Sequence, residues 1–292
     1  MKTFKILTKE EKSAIPFVLP GLLVMCVLVI YPLFYILRLS FFDSSAANNV
    51  FTGFNNFVRL FRNPQFSDAL STTTVWTIFS VTFAYLVGLA FALLINRKKL
   101  LFKGFWRSML FVAWIIPGVV KATAWRWLMA TEGGMANHIL MSLNITSEPI
   151  PFLTDPRFAI YSLIVVQIWA TAPYVMLMMS AGLQMLSREY YESADLDGAN
   201  FLQKTYYITL PLLRHISFIC ILLLFIWAIN EFALIWIMTS GGHGTITLSL
   251  LVFNQFSVLN LNAASASAMM QLFVTMIFAV LYIRFITKEE KA

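Results

Sequence analysis

The chain has 292 residues, of which 59% are hydrophobic and only 12% charged, with a net charge of +7 and a mean hydropathy of +0.76. A soluble domain carries about 25% charged residues, so this composition excludes an ordinary soluble enzyme or binding domain. Outside the apolar stretches the basic residues form no stripe interleaved with aromatic side chains, which argues against nucleic-acid binding and leaves a protein of the lipid bilayer.

Six apolar stretches predict six membrane-spanning helices. Each reaches about 20 residues, the length that crosses a hydrocarbon core as an α-helix, and none alternates with the period of two expected for a transmembrane barrel. The first stretch follows a lysine-rich start, as in a signal peptide, but it is too long and lacks a small-residue cleavage site, so we expect it to remain as the first span. The stretches are 14–37, 73–95, 106–130, 158–182, 213–238 and 265–287.

These stretches predict an all-α integral membrane protein in three parts. Residues 1–72 hold the N-terminal tail, the first helix and a loop on the outer face. Residues 73–287 hold a core of five helices, and residues 288–292 form a tail. Aromatic residues at about helical spacing in the outer loop predict a short helix in the membrane interface. They are Phe51, Phe54, Phe57, Phe61 and Phe66.

The distribution of Lys and Arg predicts the orientation of the chain, because cytoplasmic loops carry an excess of both residues. They concentrate on the side of the six stretches that holds both termini and the segment 187–211, which we therefore expect in the cytoplasm. The basic residues of that side are Lys2, Lys5, Lys9, Lys12, Arg97, Lys98, Lys99, Lys103, Arg107, Arg188, Lys204, Arg214, Arg284, Lys288 and Lys291.

The segment 187–211, called the insert below, is a polar interruption between the fourth and fifth stretches. Ser187 is a typical N-cap, and Gly198 stands where a short helix would end with a positive φ. Asn200 with Gln203 three residues on resembles a capping box that begins a second helix. The local pattern therefore predicts helix–turn–helix, and Pro211 marks the expected start of the next span.

The insert is predicted to lie across the membrane surface and to expose three carboxylates, on Glu192, Asp195 and Asp197. A compact acidic surface between two spans suits the docking of another protein, which could then push on the helices at either side. An ordinary capped loop is the alternative that the residues leave open.

A motif in the insert resembles a known family. Glu192-Ser-Ala-Asp-Leu-Asp-Gly-Ala199, followed by Ile208-Thr-Leu-Pro211, resembles the cytoplasmic motif of permease subunits of bacterial ABC importers. The match departs from that motif at Ser193 and at Thr205, which replaces an aromatic residue and leaves Tyr206 and Tyr207 as available substitutes. Further segments in order along the six stretches resemble the carbohydrate-uptake branch, in its maltose-type first permease of the short six-helix form. They are Gly53-Phe-Asn-Asn-Phe57, Gly88-Leu89, Asn96, Trp125-Arg-Trp127-Leu128, Asn230-Glu-Phe232, Thr239-Ser-Gly-Gly242 and Ala264-Ser-Ala266.

The resemblance implies a type I ABC importer permease fold with both termini cytoplasmic, in the bacterial cell membrane. It implies that the insert couples to a separate ATPase, which binds ATP and Mg while this chain binds no cofactor and is not an enzyme. Consistent with this, the sequence has no Gly-x-x-x-x-Gly-Lys-Ser/Thr loop. The implied partners are a sister permease, two copies of the ATPase and an extracytoplasmic sugar-binding protein. The implied coupling residues are Glu192, Ala194, Asp197, Gly198, Ala199 and Pro211.

Polar and aromatic residues inside the predicted spans are candidates for contact with cargo. A charged residue at this depth usually faces a cavity or a partner, and aromatic faces beside amides suit sugar rings. Packing, or pairing with a charge on the sister subunit, is the alternative role for each. If Lys121 faces the cavity, acidic sugars become the favoured cargo. The candidates are Lys121, Trp125, Gln167, Trp169, Trp227, Asn230 and Glu231.

Three other functional classes predict different features. An ion-coupled secondary transporter of small polar solutes would need internal repeats and several intramembrane carboxylates, but Glu231 alone lies well inside a stretch. A membrane-embedded enzyme would need paired acids or a nucleophile with its base, and a scaffold would not need the insert. The favoured prediction is a transport subunit powered by a partner.

Overall fold

The computed structural model describes residues 9–43, 50–97 and 100–289. Lys2, Lys5, Lys98, Lys99 and Lys291, which contribute to the predicted orientation, lie outside these ranges. The described regular structure is helical except for one two-residue antiparallel ladder, in which β1 (Phe42–Asp43) pairs with β2 (Val50–Phe51). The prediction of an almost entirely helical chain is therefore confirmed.

The helices follow one another along the chain, and most of the connections between them are short. Two π-helical turns, Cys26–Ile30 and Thr205–Thr209, continue neighbouring helices rather than interrupting them. The helices are α1 (Lys9–Met25), α2 (Tyr31–Phe41), α3 (Asn55–Arg62), α4 (Pro64–Ile95), α5 (Lys103–Ile115), α6 (Gly118–Leu128), α7 (Met135–Ser142), α8 (Ala159–Met185), α9 (Arg188–Leu196), α10 (Phe201–Lys204), α11 (Leu210–Leu212), α12 (Arg214–Ile229), α13 (Ala233–Thr239), α14 (Leu248–Ser257) and α15 (Leu261–Glu289).

Four described helices are long and apolar enough to cross a membrane, and the number rises to six if each of two bent pairs counts as one span. The four are Pro16–Phe41, Pro64–Ile95, Ala159–Met185 and Leu261–Arg284. The bent pairs are Lys103–Ile115 with Gly118–Leu128, at 96°, and Phe201–Leu212 with Arg214–Ile229, at 77°. The described part of the chain therefore contains four to six candidate membrane spans.

Two of the predicted spans are not single straight helices. The predicted helix 106–130 breaks at Ile116, whose ψ of 129° is extended. The reason is local, since Pro117 disfavours helical geometry in the residue before it. The predicted helix 213–238 ends at Ile229 and resumes only at Ala233.

The chain divides into two compact units, Met1–Arg62 with Val252–Met270, and Asn63–Leu251 with Gln271–Ala292. In the first unit a short helix forms in the loop after α2, as α3. It carries Phe57 and Phe61 of the predicted aromatic set, whereas Phe51 lies on β2 and Phe66 on α4, and its place in the membrane interface stays a prediction. Asn56 on α3 donates hydrogen bonds to the carbonyls of Ser40, at 3.1 Å, and Phe42, at 2.9 Å. These bonds fix the start of the outer loop against the end of α2. The predicted three-part division at 72 and 287 stays a prediction.

In the second unit α4 and α8 pack closely along their length. Gly88 makes this possible, because a Cβ added there would lie 2.5 Å from both the Ala172 carbonyl oxygen and Val175 Cβ. Trp76 on α4 is fully buried, and its Nε1 donates a 2.8 Å hydrogen bond to the carbonyl of Ala228 near the end of α12. The helices α4, α8 and α12 thus form the frame on which the candidate sites are built.

Candidate functional site

The insert has the helix–turn–helix structure that its sequence predicts. Ser187 Oγ accepts a 3.3 Å hydrogen bond from the backbone N–H of Glu189 and caps α9. Gly198 follows α9 with φ +72°. This left-handed conformation is energetically unfavourable for any residue that has a Cβ. The predicted capping box is complete, with hydrogen bonds of 2.9 and 2.8 Å between Asn200 and Gln203.

The second helix of the insert extends further than predicted. It continues from Phe201 through the π-helical turn to Leu212, and α12 begins at Arg214. Pro211 therefore lies in the last turn of the surface helix, and the prediction that it begins the next span is wrong by three residues. The π-helical turn ends at Thr209, two residues before Pro211, which has no N–H to donate to a regular helix. The 77° bend between this helix and α12 turns the chain from the insert into the fifth predicted span.

The carboxylates predicted to be exposed are exposed, on Glu192, Asp195 and Asp197. Asp195 forms an ion pair with Lys204, which ties α9 to α10. Ala194 is buried.

The insert also exposes apolar side chains beside its carboxylates, which the sequence only partly indicates. The side chains of Leu196, Leu202, Tyr206 and Tyr207 are 91%, 74%, 67% and 72% exposed. Exposed large apolar residues grouped beside polar ones mark interaction surfaces. Tyr206 and Tyr207, the predicted substitutes for the aromatic residue missing at 205, are therefore available to a partner.

A cavity of about 470 Å³ lies among α5, α6, α8 and α12 and reaches α13. We name it the polar cavity after the charged and amide side chains that line it alongside apolar ones. It contains five of the seven predicted cargo residues, namely Lys121, Gln167, Trp227, Asn230 and Glu231. Its other lining residues are Trp114, Gly118, Ala170, Thr171, Ile226 and Leu234. The predicted residues from separate helices thus converge on one space.

Trp125 and Trp169 are not among the residues that line the polar cavity. Their rings instead pack against each other edge to face, with centroids 5.4 Å apart, and Trp125 packs on an apolar cluster around Trp76 and Leu163. These contacts favour the packing alternative considered for Trp169, but its ring is also 37% exposed, and its cargo role stays a prediction.

An aromatic group borders the polar cavity and includes two residues that sequence reasoning missed. Trp114, Tyr174 and Trp227 come from α5, α8 and α12, and their ring centroids lie 4.8 to 5.1 Å apart. Trp114 and Trp227 line the cavity itself. A single sequence indicates that each residue is aromatic, but only the packing of three helices brings the rings together.

The two charged residues of the polar cavity lie at breaks in their spans. Lys121 is half-buried on α6, just after the break at Pro117, and half-buried Glu231 lies between α12 and α13. Glu231 Oε1 accepts a 3.0 Å hydrogen bond from the backbone N–H of Leu234, so this carboxylate also caps α13. The cavity lining therefore contains one positive and one negative side chain.

Amide groups complete the polar lining. Asn230 is held in place because its Oδ1 accepts a 3.1 Å hydrogen bond from Nε2 of Gln271 on α15. The Gln271 amide also bonds Ser249 Oγ at 3.0 Å. Gln167 is buried at 4% exposure and lines the polar cavity. An amide can both donate and accept hydrogen bonds, so Gln167 suits a ligand hydroxyl.

One strongly perturbed acid lies outside the spans, in the loop before α8. Hydrogen bonds from the side chain and the backbone of Arg157 lower the pKa of Asp155 to about 2. Arg157 is exposed and Asp155 is half-buried, and neither lines the polar cavity, so we assign the pair to the local turn. No group of three or more His, Cys, Asp or Glu residues that could hold a metal occurs within 9–43, 50–97 and 100–289.

Together the fold and the two sites define a multi-pass membrane protein with a surface-exposed insert and a polar cavity. Residues 84–288 match the family described as "Binding-protein-dependent transport system inner membrane component", and the chain belongs to this family.

Two relatives match along almost their whole length. The chain is 28% identical to the trehalose/maltose transport system permease protein MalF of Thermococcus litoralis, over 97% of this chain and 96% of that protein. It is 30% identical to the sulfoquinovosyl glycerol transport system permease protein SmoG of Agrobacterium fabrum, over 96% and 92% of the two chains. The resemblance to carbohydrate permeases that the motifs predicted is therefore confirmed.

Solved structures share the fold. A chain of a bacterial ABC transporter involved in the import of the acidic polysaccharide alginate matches with a TM-score of 0.82 at 20% identity, over 95% of this chain and 96% of that chain. A second alginate transporter structure, in complex with a pentasaccharide-bound periplasmic protein, gives a TM-score of 0.80 at 21% identity. The predicted ABC importer permease fold is thus present.

Proposed function

We propose that this chain is the translocation subunit of an ATP-driven importer that moves a sugar or oligosaccharide across the cell membrane by alternating access. The observation that carries the proposal is the insert, which joins two spans and exposes Leu196, Tyr206 and Tyr207 beside acidic groups. Exposed apolar residues grouped beside acidic ones mark an interaction surface, and a docked ATPase would cover them. The coupling residues remain Glu192, Ala194, Asp197, Gly198, Ala199 and Pro211.

The cargo follows from the chemistry of the polar cavity. Tryptophan faces stack on the C–H faces of sugar rings, and amides exchange hydrogen bonds with hydroxyl groups. Lys121 does line the cavity, which by itself favours an acidic sugar. Glu231 offsets that charge in the same lining, so we propose neutral sugars as the cargo. The names of the relatives, for trehalose/maltose and sulfoquinovosyl glycerol transport, support a carbohydrate.

The proposed assembly contains a sister permease, two copies of an ATPase that bind ATP and Mg, and an extracytoplasmic sugar-binding protein. The family description names binding-protein dependence and an inner membrane location, which supports the binding protein and a site in the cytoplasmic membrane. We count α5 with α6 as one broken span and α12 with α13 as another, which makes six spans and leaves the surface helix Phe201–Leu212 outside the membrane. Both termini and the insert then lie in the cytoplasm, in agreement with the Lys and Arg distribution. The two relatives come from an archaeon and a bacterium, so they support a location in the cell membrane of a prokaryote.

The test is to express the chain with its neighbouring transporter genes and purify it through a tag. We expect an ATPase to co-purify, and reconstituted vesicles to take up sugar only with ATP and the binding protein. Removal of residues 188–210 should abolish both results. Uptake by the isolated chain in vesicles driven by an ion gradient would contradict the proposal and favour a secondary transporter.

A further inference from the structure

The insert touches α4 as well as the two helices to which it is covalently joined. The chain connects α8 to α9 through Leu186 and Ser187, and connects the end of α11 to α12 through Leu213. Helix α4 has no such connection to the insert. Its contact is non-covalent and is made by the two residues that follow its last residue, Asn96 and Arg97.

Asn96 and Arg97 reach two different neighbours. The Arg97 guanidinium lies over the ring of Phe201, the first residue of α10, with its carbon 4.8 Å from the ring centroid. Asn96 Nδ2 donates a 3.0 Å hydrogen bond to Ser180 Oγ on α8, and Ser180 is buried. The end of α4 is therefore attached to the insert by a cation–π contact and to α8 by a buried hydrogen bond.

The other half of α4 reaches the polar cavity. Trp76 Nε1 bonds the carbonyl of Ala228, two residues before Asn230 of the cavity lining. From Asn96 to Trp76 the helix spans about 30 Å, at 1.5 Å per residue. Between these ends α4 fits closely against α8 at Gly88, and it runs from Pro64 to Ile95 as one helix.

The geometry points to α4 as a connecting rod that links the insert to the cavity, with the Arg97–Phe201 contact at one end and the Trp76–Ala228 hydrogen bond at the other. Movement of Phe201 would displace Arg97 and, because α4 is continuous, would shift Trp76 and the Ala228 carbonyl beside Asn230. The residues that act in this scheme are positioning residues, because none of them lines the polar cavity; they are Arg97, Phe201 and Trp76. The inference rests on the proposed function, because it describes how a push on the insert would reach the cargo.

The test uses the full transporter complex in proteoliposomes and measures the sugar molecules moved per ATP hydrolysed, together with the amount of ATPase that co-purifies. Arg97→Gln and Phe201→Leu remove the cation–π contact from either side, and Trp76→Phe keeps a ring but removes the N–H. Phe201→Tyr keeps an aromatic face. Thr74→Val alters an exposed position of α4 that takes part in neither contact.

We expect Arg97→Gln and Phe201→Leu each to lower the transport ratio about fivefold, the factor that a cation–π contact of about 1 kcal/mol provides, with the ATPase still bound. The double variant should be no worse than either single one, because both remove the same contact. Trp76→Phe should lower the ratio and add nothing in combination with Phe201→Leu. Phe201→Tyr and Thr74→Val should behave as wild type.

Two results would overturn the proposed role of α4. One is that the losses in sugar moved per ATP add up in either double variant, and the other is that this ratio is unchanged in Arg97→Gln. Loss of ATPase binding in Arg97→Gln would also overturn it, because Arg97 would then be a docking contact. Since Arg97 is exposed, its substitution tests the rod even if Trp76→Phe fails to fold. A wild-type complex that binds no ATPase and moves no sugar would instead refute the proposed function.

Discussion

Lys121 and Glu231 line the same cavity from two broken spans, one just after the break at Pro117 and the other between α12 and α13. The breaks that interrupt these two predicted helices also bring opposite charges into the cavity proposed to hold the cargo. Charged residues inside a membrane are costly and are usually retained for function. The balance of these two charges leads to the first prediction.

Replacement of Glu231 by Gln should shift the cavity from neutral toward anionic sugars. Gln retains a side-chain oxygen that can accept the hydrogen bond from Leu234, so α13 should keep its cap. We expect inhibition by an anionic sugar to strengthen about tenfold, which corresponds to about 1.4 kcal/mol. Competition assays on uptake of a neutral sugar measure the change.

The matched control for this prediction is Glu132→Gln, which removes an exposed carboxylate from the loop after α6. Adding Lys121→Met to Glu231→Gln should return the preference to neutral sugars. Equal inhibition constants in wild type and Glu231→Gln would show that the two charges do not select cargo.

Tryptophans at the cavity and beside it should respond differently to substitution. Trp227→Leu should raise KM for sugar several-fold, because Trp227 lines the cavity. Trp169→Leu should lower the melting temperature with KM unchanged, because Trp169 packs on Trp125. Paired measurements of uptake kinetics and thermal stability separate the two roles. A higher KM for Trp169→Leu at normal stability would return that residue to the cargo pathway.

Substitution of Gly88 by Ala should destabilise the bundle. The added Cβ would lie 2.5 Å from Val175 Cβ and from the backbone oxygen of Ala172, so two helices must separate. We expect a loss of about 1–3 kcal/mol, the usual cost of overpacking, seen as a lower melting temperature in detergent. Gly104→Ala is the control, because a Cβ at Gly104 on α5 meets nothing within 4 Å. Equal melting temperatures for the two variants would contradict the close packing of α4 on α8.

The turn of the insert requires the left-handed conformation of Gly198. Gly198→Ala should weaken ATPase binding, because φ +72° costs a residue with a Cβ roughly 1–2 kcal/mol. Gly198→Asn should lose less, since Asn tolerates this conformation better. Co-purified ATPase per permease is the measurement. No steric clash confounds it, because a Cβ at this position has no neighbouring atom within 4 Å. Equal binding by both variants and wild type would mean that the turn is not part of the docking surface.

The sequence predicted local features of the insert well. Ser187, Gly198 and the Asn200–Gln203 capping box depend on neighbours within three residues, and such signals are readable without the fold. Pro211 was placed wrongly because the preceding π-helical turn, which lets the surface helix continue, has no clear sequence signal. The break at Asn230 was likewise missed, since the residues on both sides of it are apolar.

The cavity was predictable in part. Polar residues in apolar helices, such as Gln167 and Glu231, stand out by composition alone. Trp114 and Gln271 did not, because their roles depend on which helices become neighbours and which faces meet. The sequence also could not separate a packing role from a cargo role for Trp169, because an aromatic residue that packs and one that binds cargo look the same in sequence.

The most direct test of the central claim compares the complete transporter with a complex whose permease lacks residues 188–210, both reconstituted in vesicles with a loaded sugar-binding protein. We expect sugar-stimulated ATP hydrolysis and sugar accumulation in the complete transporter, and neither in the shortened one. Sugar accumulation that continues without the insert, or that needs no ATP, would contradict a permease driven by a separate ATPase.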